Sequence, residues 1–316
     1  MKIVITDGYA LNPGDMSWDA IRQFGGLKVY DRTSPAEIFE RCREADIILS
    51  NKTEFSKESI VKLDNVRLIS VLATGYNVID VSAAKNSGIL VCNVPAYGTE
   101  SVAQHTFALI LELSNKISLH SASVARGDWQ QSPDYSYSIK PLIELAGKTL
   151  GIVGLGNIGL QTAKLANAFG MKVIYNSRND KHTTLAAFKS MEDVFRESDF
   201  ISLHCPLTET NKEFVNKHFL QLMKPTAYLV NTARGQLINE HDLADALNNN
   251  HIAGAALDVL SKEPPDSSNP LLTAKNCVIT PHNAWSTSEA RQRIIDVTVE
   301  NIKAFLSGHP INVVNK

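Results

Sequence analysis

The chain has 316 residues, 44% of them apolar, and its 31 Lys and Arg against 33 Asp and Glu leave a formal charge of −2. That length suits two domains with sizeable cores, and the near balance of charge gives no electrostatic footing for nucleic acid or an anionic membrane. Every apolar run is strand-sized, too short to span a bilayer. The opening MKIVITDGY reads as a first strand, too short in its apolar part for a signal peptide. Cys42, Cys92, Cys205 and Cys277 stand far apart with no metal-ligand or C-x-x-C spacing, which reads as reduced core thiols in a cytoplasmic protein.

In chain order, residues 1 to 95 alternate strand and helix. Strands are predicted at Lys2–Thr6, Lys28–Tyr30, Ile47–Ser50, Leu68–Val71 and Ile89–Val91, with helices around Trp18–Phe24 and over Pro35–Glu44, Ser56–Leu63 and Asp80–Asn86. This alternation makes an open parallel sheet with helices on both faces. The loop Leu72-Ala73-Thr74-Gly75-Tyr76-Asn77 leaves the carboxyl end of a strand, where open α/β sheets bind ligands. Either its consecutive backbone N–H groups hold a carboxylate, or it is an ordinary turn in which Gly75 supplies a positive φ. Pro95-Ala96-Tyr97-Gly98 breaks the pattern and marks a domain boundary. One long helix is then expected from Glu100 to His120, apolar over much of its surface, buried between domains or subunits or simply in a core. A second helical piece ends at Gly127-Asp128-Trp129, and a polar loop covers 130–141.

Thr149–Val153 is the next strand, followed by Gly154, Gly156 and Gly159 as G-x-G-x-x-G, a helical pattern to Phe169, the helix-stopping Gly170 and a strand at Lys172–Tyr175. Gly154 allows a tight turn, Gly156 lets a pyrophosphate approach the backbone, and Gly159 lets helix and strand pack closely. The N–H groups of the helix start, at Asn157 and Ile158, face the anion. A carboxylate that would hold the adenosine ribose and select NAD belongs about 20 residues beyond the motif's start. Asn176, Ser177 and Arg178 stand there instead. A small hydroxyl followed by Arg suits a 2′-phosphate and favours NADP(H) over NAD(H); the alternative is that Arg178 is a solvated strand-end charge.

Helices follow at Met191–Arg196, His218–Met223, Glu240–Asn248 and Glu289–Leu306, and strands at Phe200–His204, Ala227–Asn231, Ala253–Val259 and Cys277–Thr280. The strand ends carry Cys205-Pro206, Thr232-Ala233-Arg234-Gly235, Asp258 and Pro281-His282-Asn283-Ala284 to one sheet edge. Arg234, Glu263 and His282 are the ionisable candidates. Reducing a ketone by hydride transfer needs a cation that binds and polarises the substrate and a proton donor for the forming alkoxide. Arg supplies the first as a planar fork, and a carboxylate-supported His the second. Taken singly, each also has a plain reading as a surface charge, a loop charge and a satisfied core histidine.

These pieces, together with A-T-G-Y-N-V-I-D (73–80), S-V-A-Q-H-T (101–106), H-C-P-L-T (204–208), A-L-D-V (256–259) and K-E-P-P (262–265), resemble the D-2-hydroxyacid dehydrogenases along nearly the whole chain, most of all the glycerate dehydrogenase, or hydroxypyruvate reductase, branch. The resemblance implies two doubly wound parallel-sheet domains with a cleft between them. A flavodoxin-like substrate domain takes residues 1–98 and 286–316, and a Rossmann cofactor domain takes residues 99–285. It implies a catalytic trio of Arg234, Glu263 and His282, and a substrate carboxylate held by the Thr74 and Gly75 amides and Arg234. It also implies a cofactor lined by Thr106, Cys205, Pro206, Thr232, Asp258, His282 and Ala284, with no metal, and a homodimer supported by the helices near 100–120. The expected reaction is hydroxypyruvate to D-glycerate, with glyoxylate second. Other 2-ketoacid reductases, phosphoglycerate dehydrogenase and a dinucleotide-sensing corepressor-type protein are the alternatives. Gln104, Val78 and Ser177 depart from the residues many relatives carry. Glu263, where formate dehydrogenases carry Gln, argues against formate chemistry.

Overall fold

The strands are short runs of β-branched and large apolar residues, and the central ones are buried along their full length because helices cover both faces of each sheet. The computed structural model describes residues 1–316 and divides into two compact units, 1–98 with 286–316, and 99–285. Each is an all-parallel α/β unit.

In the first unit, β1 (Lys2–Ile5), β2 (Gly26–Val29), β3 (Ile47–Ser50), β4 (Leu68–Val71) and β5 (Leu90–Cys92) lie in the order β2-β1-β3-β4-β5. The order reverses direction between β1 and β3, the crevice where doubly wound sheets take ligands. Here Asp7, 5% exposed, fills it from within. Its carboxylate accepts the backbone N–H groups of Asn51 at 2.9 Å and Thr53 at 2.8 Å, and that of Lys52. The helix Ser288–Leu306 packs on this unit, and Arg291 grips Asp15 with two bonds of 2.7 Å. The last residues cover the free edge of β5: Val91 N–H donates to Asn315 Oδ1 at 2.9 Å, and Val314 N–H to the Val91 carbonyl at 2.9 Å. This removes an open ladder that would otherwise invite pairing.

In the second unit, β6 (Thr149–Val153), β7 (Lys172–Asn176), β8 (Ala187–Phe188), β9 (Phe200–Leu203), β10 (Tyr228–Asn231), β11 (Gly254–Leu257) and β12 (Cys277–Ile279) run in the order β12-β11-β10-β9-β6-β7-β8. The reversal falls between β6 and β9, so the glycine-rich turn and His204-Cys205-Pro206 leave the sheet side by side. Leu229, Leu243 and Phe195 belong to the core on one face, and Ile152, Phe200 and Tyr175 to that on the other.

Three expectations are corrected. The helix expected over Glu100–His120 is two helices, Thr99–Asn115 and Ile117–Ala125, because Lys116 adopts φ 51°. Its ammonium bonds the Leu113 carbonyl at 2.8 Å, while the Glu112 carboxylate accepts from Ser118, so flanking side chains satisfy the ends a break exposes. Strand β2 begins at Gly26 rather than Lys28, because Gly26 N–H bonds the Met1 carbonyl at 2.9 Å and starts the ladder early. The helix expected over Pro35–Glu44 is a 3₁₀ turn, Pro35–Glu37, followed by Ile38–Cys42. No helix is long and apolar enough to cross a membrane.

The two inner glycines of the 154–159 turn differ in what surrounds them. A Cβ on Gly159 would lie 2.2 Å from the Gly154 carbonyl oxygen, whereas one on Gly156 would meet nothing within 4 Å. Gly159→Ala is therefore expected to lower unfolding free energy by about 1–3 kcal/mol in urea titration, while Gly156→Ala stays within about 0.5 kcal/mol. Equal midpoints for the two variants would refute the close-packing role.

Candidate active site

The geometry at the carboxyl edge of the second sheet is set by one buried acid. Asp258 follows β11 and is 1% exposed. It accepts the Thr280 hydroxyl at 2.6 Å and the backbone N–H groups of Asn283 at 3.0 Å and Ala284 at 2.9 Å. The turn after β12 is thereby drawn under β11, and His282 sits in it at φ 52°, its own N–H bonded to the Asp258 carbonyl at 2.8 Å. Left-handed backbone at a residue with a side chain needs such support.

His282 meets Glu263: its Nδ1 lies 2.5 Å from Glu263 Oε2, while Oε1 of the same carboxylate accepts the Leu260 N–H at 3.0 Å. A carboxylate only accepts, so the ring carries its hydrogen on Nδ1 and presents Nε2 outward. The Glu263 loop is anchored from below by Glu240, whose oxygens accept Ser261 N–H and Oγ at 2.7 Å each and Asn269 Nδ2 at 2.9 Å. The Arg234 loop lies against it. Gly235 is so close to the Leu260–Ser261 backbone that a Cβ would fall 1.9 Å from the Leu260 carbonyl carbon, and Gln236 Nε2 bonds the Ser261 carbonyl at 2.8 Å. Asn231 fixes the turn, donating to the Arg234 carbonyl at 2.8 Å and accepting Ala233 N–H at 2.9 Å. The Arg234 side chain is exposed and bonds only the Ala233 carbonyl, at 2.7 Å. The structure thus brings His282 and Glu263 into direct contact and seats Arg234 on the neighbouring loop, unpaired with either.

One helix ties these loops together, and the sequence reading singled out only one of its contacts. On Thr99–Asn115, Ser101 Oγ donates to the Ala284 carbonyl at 2.6 Å, His105 Nε2 lies 3.1 Å from Thr280 Oγ1, and Thr106 Oγ1 lies 3.0 Å from Thr232 Oγ1. His105 also stands 3.5 Å from Asp258 Oδ1. The spacing of four stacks Ser101 and His105 one turn apart on one face, and Thr106, next to His105 in the chain, reaches the neighbouring Thr232 loop. Of these, Ser101 and His105 carried no local signal beyond their place in a quoted motif, and Thr280 none beyond its place at a strand end.

At the β6–β9 reversal the glycine turn is built for a phosphate. Gly154 has φ 97°, and a Cβ there would lie 2.6 Å from Cys205 N. The helix Asn157–Ala168 starts at Gly156 with open space before it, so the N–H groups of Asn157 and Ile158 are available to an anion. These residues fit a dinucleotide. Cys205 and Pro206 border this turn; the Cys205 thiol is free, and burial pushes it up to about 11, so it stays protonated. At the end of β7, Ser177 spends its hydroxyl on the Asn179 carbonyl at 2.6 Å, while Arg178 is exposed and forms no ion pair. No group of three His, Cys, Asp or Glu could hold a metal.

In the first unit, Thr74 and Gly75 follow β4. Asn51, held by Asp7, donates through Nδ2 to the Leu72 carbonyl at 2.9 Å. Thr74 Oγ1 donates to the Val94 carbonyl at 2.8 Å, and Asn93 Nδ2 to the Thr74 carbonyl at 2.8 Å. Gly75 is not among the positive-φ glycines, so a left-handed turn is not its purpose.

Residues 107–284 match the family model described as D-isomer specific 2-hydroxyacid dehydrogenase, NAD binding domain. A hydroxypyruvate reductase of Blautia hydrogenotrophica is 46% identical, the match covering 100% of both chains. Among solved structures, an acyclic imino acid reductase in complex with NADPH and D-Arg is 33% identical with TM-score 0.87, covering 99% of this chain and 100% of that one. A D-lactate dehydrogenase from Aquifex aeolicus complexed with NAD and lactic acid is 30% identical with TM-score 0.85, covering 100% and 99%.

His204, beside Cys205, bonds Ser202 Oγ through Nε2 at 2.9 Å, and burial pushes its imidazole down to about 4. An unfolded chain protonates this ring near pH 6.5. Between these values the unfolded state binds a proton that the folded state refuses, so stability is full above the window and falls as pH falls through it. Urea unfolding at pH 7.5 and 5 is expected to show the native protein losing about 2 kcal/mol more than His204→Gln; equal losses would show that the ring takes up its proton without unfolding.

Proposed function

Given that this chain belongs to the D-isomer specific 2-hydroxyacid dehydrogenases, we propose that it reversibly reduces hydroxypyruvate to D-glycerate, with glyoxylate as a second substrate, and uses NADPH in preference to NADH. The observation that carries the chemistry is the 2.5 Å contact of His282 Nδ1 with Glu263. The choice of hydroxypyruvate is supported by the 46% identity to a hydroxypyruvate reductase over both full chains, and the coenzyme choice by a strand end carrying Ser177 and an unpaired Arg178 in place of an acid.

In the second unit Arg234 is the proposed cation for the substrate, its exposed fork not committed to any carboxylate of the chain; in the first unit the amides of Thr74 and Gly75 are the proposed carboxylate donors. A reduced nicotinamide, when held by the 99–285 unit, would supply the hydride for the keto carbon. Arg234 polarises the carbonyl and stabilises negative charge building on its oxygen. His282, as imidazolium, gives its Nε2 proton to that oxygen, so the C=O bond becomes CH–OH. Glu263 then faces a neutral ring that still holds hydrogen on Nδ1, and the ring regains its Nε2 proton from solvent. Gly154, Gly156, Asn157, Ile158 and Gly159 would hold the pyrophosphate. Thr106, Cys205, Pro206, Thr232, Asp258, His282 and Ala284 would shape the nicotinamide end, with Ser177 and Arg178 at the adenosine end. Asp258 acts there through the backbone it holds, since its oxygens already accept three bonds.

The test is loss of reduced-nicotinamide absorbance with each coenzyme against hydroxypyruvate, glyoxylate, pyruvate and phosphohydroxypyruvate. Fastest turnover is expected with NADPH and hydroxypyruvate, and a marked preference for the phosphorylated acid would replace the reading with a phosphoglycerate dehydrogenase. In the same assay His282→Ala is expected to lower kcat at least about 100-fold with coenzyme affinity retained; undiminished kcat would remove its proton-donor role.

We also infer a homodimer. The helix Ile117–Ala125 and the segment after it expose Ile117 at 59%, Trp129 at 51% and Leu142 at 51%, a concentration of apolar side chains that favours burial against a second copy. Sedimentation of the native chain is expected at twice the monomer mass, and of Ile117→Glu with Trp129→Glu at the monomer mass. Monomeric sedimentation of the native chain would refute the dimer.

A further inference from the structure

Beyond Ser177 and Arg178, the loop that follows β7 contains one acid, Asp180, set between Arg178 and the pair Lys181 and His182. In a cationic loop meant for phosphate this carboxylate is out of place, yet the structure disposes of it. Tyr175, fully buried within β7 with its ring 5.4 Å from Phe188, sends its hydroxyl out of the core to Asp180 Oδ1 at 2.5 Å. The same hydroxyl accepts the Lys181 N–H at 2.7 Å, and Asp180 Oδ1 also accepts the His182 N–H at 2.9 Å. His182 Nδ1 stands 3.3 Å from the other carboxylate oxygen. Oδ1 of the acid is therefore held by two hydrogen bonds, one from β7 and one from the loop, and Oδ2 has the His182 ring beside it. Arg178 and Lys181 remain exposed and enter no ion pair.

We propose that Tyr175 is a coenzyme-selectivity residue: by pinning Asp180 it keeps the loop's one carboxylate away from the 2′-phosphate of the coenzyme and leaves Arg178 and Lys181 to bind that group. The proposal rests on the reading that the adenosine end of the coenzyme meets the end of β7. The position of the hydroxyl is set by the core, since the ring is packed on the sheet before the loop begins. Phosphate recognition by Arg and Lys is a charge interaction that a carboxylate at the same place would oppose. A 2′-hydroxyl lacks that charge and gains from the acid instead. The side chain that decides the matter thus need not touch the coenzyme. The Tyr175 hydroxyl and then the His182 amide hold the Asp180 carboxyl below the usual carboxylate range, in keeping with an acid that stays charged and engaged.

The experiment measures dissociation constants of NADPH and NADH by titration calorimetry, without turnover, for the native chain, Tyr175→Phe, Asp180→Asn and the double variant. In Tyr175→Phe the ratio of NADH to NADPH dissociation constants is expected to fall about tenfold. Asp180→Asn alone keeps the bond from Tyr175 and is expected to move the ratio by less than about twofold. In the double variant the ratio is expected to return to within about twofold of the native value. An unchanged ratio in folded Tyr175→Phe, or a fall that persists with Asn at 180, would overturn the proposal. So would a tenfold rise in Asp180→Asn alone, because the acid would then already face the phosphate. Should Tyr175→Phe fail to fold, Lys181→Ala serves as the second arm: NADPH affinity is expected to fall with NADH unaffected, and equal NADPH affinity overturns the cationic cradle. A native chain that binds NADH more tightly would refute the NADPH preference. The pinning of Asp180 is still read from the change between variants.

Discussion

The carboxylate of Asp258 is the constraint on which the catalytic edge depends. It gathers two backbone amides and a hydroxyl from the turn after β12, and the Asp258 backbone carbonyl completes the hold by accepting the His282 N–H. A hydrogen bond to a charged acceptor is worth about 1.5–3 kcal/mol, and a buried amide left without a partner costs a similar amount. The three bonds that Asp258 accepts together outweigh the cost of about 1–3 kcal/mol that a strained left-handed residue such as His282 brings. The imidazole can therefore stand where a relaxed turn would not place it. Glu263 acts one layer further out, orienting a ring whose backbone is already fixed.

The first unit uses the same device at the same kind of place. Asp7 follows β1 and takes up the amides of the loop after β3, as Asp258 takes up those after β12. Parallel sheets make the arrangement natural, since all their strands end on one side and deliver loops with unbonded amides into one crowded layer. A short buried carboxylate bonds several at once. Such acids resemble catalytic groups in a sequence, yet their oxygens are occupied. Glu263 differs in kind: it is exposed, spends one oxygen on Leu260, and turns the other to His282.

What the sequence disclosed follows this division between local and distant demands. Gly154, Gly156 and Gly159 were legible because each missing Cβ answers a need within the turn itself, and β3, β4 and β6 because buried parallel strands read as unbroken apolar runs. The break at Lys116 escaped notice, because Glu112 and Lys116 are four apart and look like a pair that would support a continuous helix; in the structure each caps a different one. His105 and Ser101 were silent for another reason. Their partners lie more than 170 residues away in the chain, at Thr280 and Ala284, and no periodicity announces such contacts. Tyr175 read simply as a strand residue, since its ring satisfies the core and only its hydroxyl serves the loop.

The order of the second sheet also separates the proposed proton donor from the proposed coenzyme-selecting loop. His282 follows β12 and Ser177 follows β7, and the order β12-β11-β10-β9-β6-β7 sets five strand spacings between them. At about 4.8 Å per spacing that is roughly 24 Å, well beyond the 7–10 Å within which substitutions commonly couple. The glycine turn after β6 lies between the two ends and, in the proposed binding mode, would face the pyrophosphate common to both coenzymes. Charges at the β7 end are exposed and act through a screened field, so in the proposed binding mode changes there would alter which coenzyme binds by modest factors. In the proposed reaction the half-buried His282 and its partner act on bonds being made, where a displacement of about 1 Å costs far more. Selectivity can therefore drift at one end of this sheet while the proton-donating geometry at the other stays fixed.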